Sequence, residues 1–165
     1  MHNKNIPLIS DVLLHDGNMR LLDRIVDFDT EFALAEYTPQ ATAWYADSNG
    51  NMPAWIGIEL MAQAISAHAG LLKHGSNTPP KQGALLGTRS YLASIPTFAP
   101  NQPLMILVTL VYKDVSGLGA YDCMIYDQHY APNPDNHLIH HNYLAKATLK
   151  VFEPDNFQQF LQEHS

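Results

Sequence analysis

A chain of 165 residues, 46% of them hydrophobic, can bury one core and is too short for two comfortable ones, so residues 1–165 read as a single domain. Nine Lys and Arg stand against sixteen Asp and Glu, a net charge of -7 that excludes the basic stripe of a nucleic-acid binder and opposes docking on anionic lipid. Only 15% of the residues are charged, which makes the surface easy to bury against a copy of itself and favours an oligomer. The one cysteine, Cys123, excludes an intramolecular disulfide and suits a reducing cytoplasm. The opening MHNKNIPLIS lacks the apolar stretch of a signal peptide, and no apolar run has the length of a membrane span.

Up to about Gly17 the chain has mixed character. RLLDRIVDFD (20–29) and FALAEYT (32–38) then read as two short strands joined by Thr30 and Glu31. Trp44 and Tyr45 precede ADSNGN, a turn punctuated by its Asn-Gly pair. The one long helix spans 53–74: Pro53 suits a first helical position, where a missing N–H costs nothing, and Gly75 suits the stop. Trp55, Ile56, Ile58, Leu60, Met61, Ile65, Leu71 and Leu72 leave this helix no broad charged face, so it is expected to be wrapped by protein on most sides. After a loop holding Pro79 and Pro80 the period changes. Segments 84–95, 103–114, 118–127 and 143–153 are rich in Val, Ile, Leu, Tyr and Thr and have strand length. Segment 155–163 has the pattern of a short amphipathic helix. Two strands, one buried helix and four long strands specify an α+β fold, an antiparallel sheet wrapped around one long central helix, which is the hotdog arrangement.

Glu59 is a lone carboxylate on this apolar helix, with Gln63 one turn further on the same face. A sheltered carboxylate is costly unless hydrogen-bonded or neutral, and desolvation favours the protonated acid. Two roles are open: a proton donor, or a carboxylate that Gln63 holds merely to fix the helix. His68, nine positions on, is expected in the core or at an interface. Cys123 lies in the apolar GLGAYDCMIYD and reads as a packed cysteine rather than a nucleophile. His129, His137, His140 and His141 lack a completing Cys or carboxylate, so no metal site is expected. Arg89, in GTRSYL, is either a strand-edge arginine or a phosphate contact, and Lys73, Lys81 and Arg89 could form a local basic patch on this acidic chain. Trp44, Tyr45 and Trp55 either line a tunnel or pack the core, with core packing preferred for Trp55.

MPAWIGIELMAQA (52–64) resembles the start of the central helix in the beta-hydroxyacyl-ACP dehydratases of fatty-acid synthesis, with Pro53, Glu59, Ala62 and Gln63 in matching places. LLHDGNMRLLDRI (13–25) resembles the opening motif of the same family: His15, Leu21, Leu22, Asp23 and Arg24 match, and Leu14 stands where proline is usual. The Pro-Ala-Trp-Ile-Gly-Ile-Glu variant is most similar to the dehydratase-like proteins of aryl-polyene biosynthesis. In the fatty-acid enzymes a catalytic histidine lies fourteen residues before the acid; here that position is Tyr45.

The resemblance implies dehydration of a (3R)-3-hydroxyacyl-ACP to the trans-2-enoyl-ACP, in a polyene or fatty-acid-like pathway. His15 would remove the C2 proton, Glu59 would protonate the leaving hydroxyl, and a backbone N–H near Ala54 and Trp55 would polarise the thioester carbonyl. Gln63 and Tyr45 would support them, and Arg89 would contact the substrate or carrier. No cofactor is implied, because phosphopantetheine arrives on the acyl carrier protein. Two alternatives stay open: an auxiliary subunit of a hetero-oligomeric dehydratase, and an acyl-thioester hydrolase.

Overall fold

The computed structural model describes residues 5–13, 17–74, 84–130, 143–153 and 162. Six antiparallel strands form one sheet in the order β1-β2-β6-β7-β8-β4. They are β1 (Arg24–Phe28), β2 (Phe32–Tyr37), β4 (Ala84–Ala93), β6 (Leu104–Lys113), β7 (Leu118–Asp127) and β8 (Tyr143–Phe152). All six were legible as strands, with ends shifted by a few residues; β1 starts at Arg24 rather than at 20. Beside them are a four-residue helix α1 (Ile9–Val12), the long helix α2 (Ile56–Lys73), and a two-residue pairing of β3 (Met52–Pro53) with β5 (Thr97–Phe98).

Alternation along the strands places the core. In β8, Ala145, Ala147 and Leu149 are buried and turn toward α2, as do Tyr121, Cys123 and Ile125 of β7 and Ile106 and Val108 of β6. Against them α2 sets Ile56, Leu60, Met61, Ala64, Ile65 and Leu71, all buried. Each large side chain so buried contributes roughly 1.5–3 kcal/mol. Residues of opposite phase (Leu34, Met105 and Tyr126) form a second, small cluster on the other face of the sheet. Helix α1 packs on α2 at Gly70, where a Cβ would overlap the backbone carbonyl of Val12.

The helix departs from expectation at its start. Pro53 is not its first residue: Met52 and Pro53 pair with Phe98 and Thr97, and the Ala54 N–H donates to the Pro96 carbonyl at 3.0 Å, so helical turns begin only at Ile56. Its end agrees with the expected 74: the last helical residue is Lys73 and the cap is His74, extended with its N–H on the Gly70 carbonyl, while Gly75, expected as the stop, lies outside the described residues. As expected, it is wrapped on most sides. Ile58, Glu59, Ala62, Ser66, Ala69 and Lys73 form a half-buried stripe at helical spacing. The amphipathic segment expected at 155–163 lies outside the described residues except for Gln162.

Strand β4 carries an irregularity that matters for the site. Arg89 is opposite Thr148 and Leu92 is opposite Lys146, so three steps on β4 span two on β8, which is a β-bulge. Ser90, inside it, has φ 53°, a left-handed conformation that costs a non-glycine residue about 1–2 kcal/mol. The bulge leaves Ser90 and Leu92 exposed and turns Tyr91, half-buried, toward the start of α2.

Candidate functional site

Glu59 sits on the first turn of α2, half-buried rather than enclosed. Its Oε1 accepts a hydrogen bond from Gln63 Nε2 at 3.0 Å, the i,i+4 contact that the sequence spacing implied. Gln63 is fully buried, and its amide also grips the segment before β1. Nε2 donates to the Met19 carbonyl at 2.7 Å, and Oε1 accepts from Leu21 N–H at 2.9 Å and more weakly from Leu22 N–H at 3.5 Å. One side chain thus locks the Glu59 carboxylate to the chain that descends from the histidine motif. His15 itself lies outside the described residues.

The Asp-Arg pair of that motif is tied into the fold. Asp23 Oδ2 accepts the Thr38 N–H at 2.8 Å, and Arg24 forms a two-pronged pair with Glu36 across β1 and β2, at 3.2 and 3.0 Å.

The backbone at the helix start is arranged so that one expectation must be corrected. The Ala54 N–H is occupied by Pro96 and cannot face a substrate carbonyl. The Gly57 N–H turns back to the Ala54 carbonyl at 2.9 Å and the Ile58 N–H to the Trp55 carbonyl at 3.2 Å. Among the described residues no acceptor pairs with the N–H groups of Trp55 and Ile56, which stand at the positive end of the α2 dipole. Trp55, expected in the core, is 62% exposed because the turn at residues 54–55 carries its ring outward.

Tyr45, at the family's histidine position, is buried and its hydroxyl is taken up by the fold. It bonds to the Tyr37 hydroxyl and accepts the Gln40 N–H at 3.0 Å. Burial and this partner push the Tyr37 ionisation far upward, so Tyr37 stays neutral. The Tyr45 hydroxyl is thus engaged by Tyr37 and Gln40. Tyr37 and Trp44 line a half-open cleft of about 470 Å³ with Gly17, Arg20, Asp23 and Thr42. Of the expected aromatic trio, Trp44 stands on the wall of this cleft.

Of the basic patch, Lys73 is engaged by Glu153; Lys81 and the Arg89 side chain lie outside the described residues. His68 is fully buried, as expected. Its Nε2 faces the Asp29 carbonyl at 2.9 Å and so carries the proton, while Nδ1 accepts from the Tyr121 hydroxyl at 2.8 Å. Desolvation lowers its pKa. Cys123 is buried too, and burial pushes its thiol far up, away from nucleophilic chemistry. Among the described residues no three His, Cys, Asp or Glu side chains cluster as a metal site. His137, His140 and His141 lie outside them.

Tyr91 was not anticipated from the sequence. Its hydroxyl donates to the Ala54 carbonyl, and burial pushes its own pKa up to about 12, so it remains a donor at neutral pH. The only trace in the sequence is a lapse of strand alternation around Ser90 and Tyr91.

A helix cradled by a six-stranded antiparallel sheet defines the hotdog class, and the solved structures similar to this chain agree. The dehydratase heterocomplex ApeI:P from Xenorhabdus doucetiae superposes with a TM-score of 0.80 over 96% of this chain and 99% of that one, at 20% identity. The smu.793 protein of Streptococcus mutans, bound to acetyl CoA, gives 0.59 at 14% identity, over 86% and 94% of the two chains. PaaI of E. coli, from the phenylacetic acid degradation operon, gives 0.55 at 15% identity, over 78% and 81%. No curated protein matches the sequence. Residues 7–162 match the ApeP-like family, described as ApeP dehydratase, and the chain belongs to that family of dehydratases. No described helix is long and apolar enough to cross a membrane.

Proposed function

We propose that the chain serves the dehydration of (3R)-3-hydroxyacyl groups, carried as thioesters on an acyl carrier protein, to trans-2-enoyl groups, in a polyene or fatty-acid-like pathway. The observation that carries this reading is the Glu59–Gln63 pair anchored to Met19 and Leu21, one turn from the open N–H groups of Trp55 and Ile56. Those donors would polarise the thioester carbonyl and acidify C2. His15 would take the C2 proton, the C2–H electron pair would become the C2=C3 bond, and the C3–O bond would break. The Glu59 acid would give its proton to the departing hydroxyl, which leaves as water. A proton relayed from His15 to Glu59 through solvent would restore the start. The chain would need no cofactor of its own, because the phosphopantetheine belongs to the carrier protein.

Tyr45 favours a second form of the same reading. With the family's histidine position filled by a hydroxyl already bonded within the fold, the base or the full site would be completed by a second dehydratase-like subunit. Both forms are tested by assaying the chain alone and co-purified with such a subunit, using a 3-hydroxyacyl carrier protein. Glu59→Gln should lower enoyl formation by about 10²–10⁴-fold in whichever preparation is active. Undiminished turnover in that variant would remove Glu59 from the chemistry and leave the chain an auxiliary role. Release of free carrier thiol without enoyl absorbance would instead mean thioester hydrolysis.

A further inference from the structure

The Ala54 carbonyl and the Trp55 N–H belong to one peptide unit, and in a trans peptide they point in opposite directions in one plane. Three local features converge on the carbonyl side of that unit. The bulge and the left-handed Ser90 aim Tyr91 at it. Gly57 makes room, since a Cβ there would overlap the Tyr91 hydroxyl and lie 3.0 Å from Ile125 Cδ1. The hydroxyl then donates to a carbonyl that already accepts the Gly57 N–H, so the fold does not need this second bond to satisfy the acceptor. On the preceding unit, the Ala54 N–H is held by Pro96. Residues 91 and 96 therefore grip the turn on both sides of Ala54 and fix the plane of the peptide that follows.

We propose that Tyr91 is a positioning residue: through the Ala54 carbonyl it orients and strengthens the Trp55 N–H as the donor to the substrate's thioester carbonyl. A hydrogen bond accepted by a peptide carbonyl draws charge from its nitrogen and makes the N–H at the other end a better donor. The proposal rests on the reading that the helix start polarises that carbonyl, and it adds the group that tunes the polarisation.

The test uses the full chain, with its partner subunit if turnover requires one, and crotonyl-pantetheine labelled with ¹³C at the carbonyl. Binding to the wild type should lower the carbonyl stretching frequency. Tyr91→Phe, which removes one oxygen and keeps the ring, should lose a measurable part of that shift, keep the probe's Kd within about twofold, and lower kcat up to roughly tenfold with KM unchanged. In the ligand-free protein the Trp55 amide proton should move upfield in Tyr91→Phe. Gly57→Ala, which expels the hydroxyl without removing the phenol, should move it the same way. An unmoved Trp55 resonance, or a full frequency shift in Tyr91→Phe, overturns the role of Tyr91 alone. A bound wild-type complex with no frequency shift overturns the carbonyl-polarising reading, and this proposal with it.

Discussion

Gln63 has every hydrogen-bonding position of its amide filled, and it does so at zero exposure, which makes it the least replaceable polar side chain described. Gln63→Leu keeps the volume but strands the Met19 carbonyl and the Leu21 N–H without partners. At roughly 1–3 kcal/mol per orphaned buried group, a loss of about 3 kcal/mol is expected in urea unfolding. A loss below about 1 kcal/mol would mean that water replaces the amide and that Glu59 is not held as described. His68 offers a second prediction at this scale. Its folded pKa is lowered below 6.5, so below that pH the unfolded chain binds a proton that the folded chain refuses. The stability from a neutral His68 is therefore complete above pH 6.5 and is lost as pH falls through the window below it. Stability should therefore rise with pH across that window, and the rise should flatten in a variant lacking His68. At this scale the sequence showed the Glu59–Gln63 contact, because i,i+4 spacing on a helix determines it. It could not show what else Gln63 binds, because the partners are backbone atoms of a loop forty residues away, with no side-chain signature.

Helix α2 shows how far pattern reading reaches at the level of elements. Its existence, its apolar body and the strands on either side follow from period and length. Its beginning did not, because Pro53 was read by its helix preference while pairing to β5 drew it into an extended bridge. A two-residue strand carries no periodic signal, and the bulge in β4 appears only as a phase slip. The apolar body suggested wrapping on most sides, and that is what the helix has, with a half-buried stripe through Glu59, Ala62, Ser66 and Ala69 along the remaining side. Contact between α1 and α2 supplies the prediction at this scale. Gly70→Ala gains up to about 1 kcal/mol of helix propensity, but the new methyl group meets the Val12 backbone carbonyl rather than a flexible side chain. Overpacking of this kind costs about 1–3 kcal/mol, so the urea midpoint should fall. A raised midpoint would show that α1 moves off α2 without loss.

For the whole molecule, one sheet closes around one helix, and the main core cluster draws on α1, α2 and five of the six strands among the described residues. Unfolding followed by tryptophan fluorescence and by far-ultraviolet circular dichroism should therefore give one coincident transition. Two separate transitions would mean that part of the chain folds independently. The two ends of α2 have different tasks. At the first turn stand the carboxylate and the open backbone donors; at the last, Lys73 is joined to Glu153 just beyond β8, with Lys113 3.9 Å from the same carboxylate. The helix holds these ends about 27 Å apart. The proposed reacting groups at the first turn are thereby remote from the Lys73–Glu153 pair, and an engineer altering the hardiness of this dehydratase at the lysine end would leave Glu59 and its neighbouring backbone donors in place.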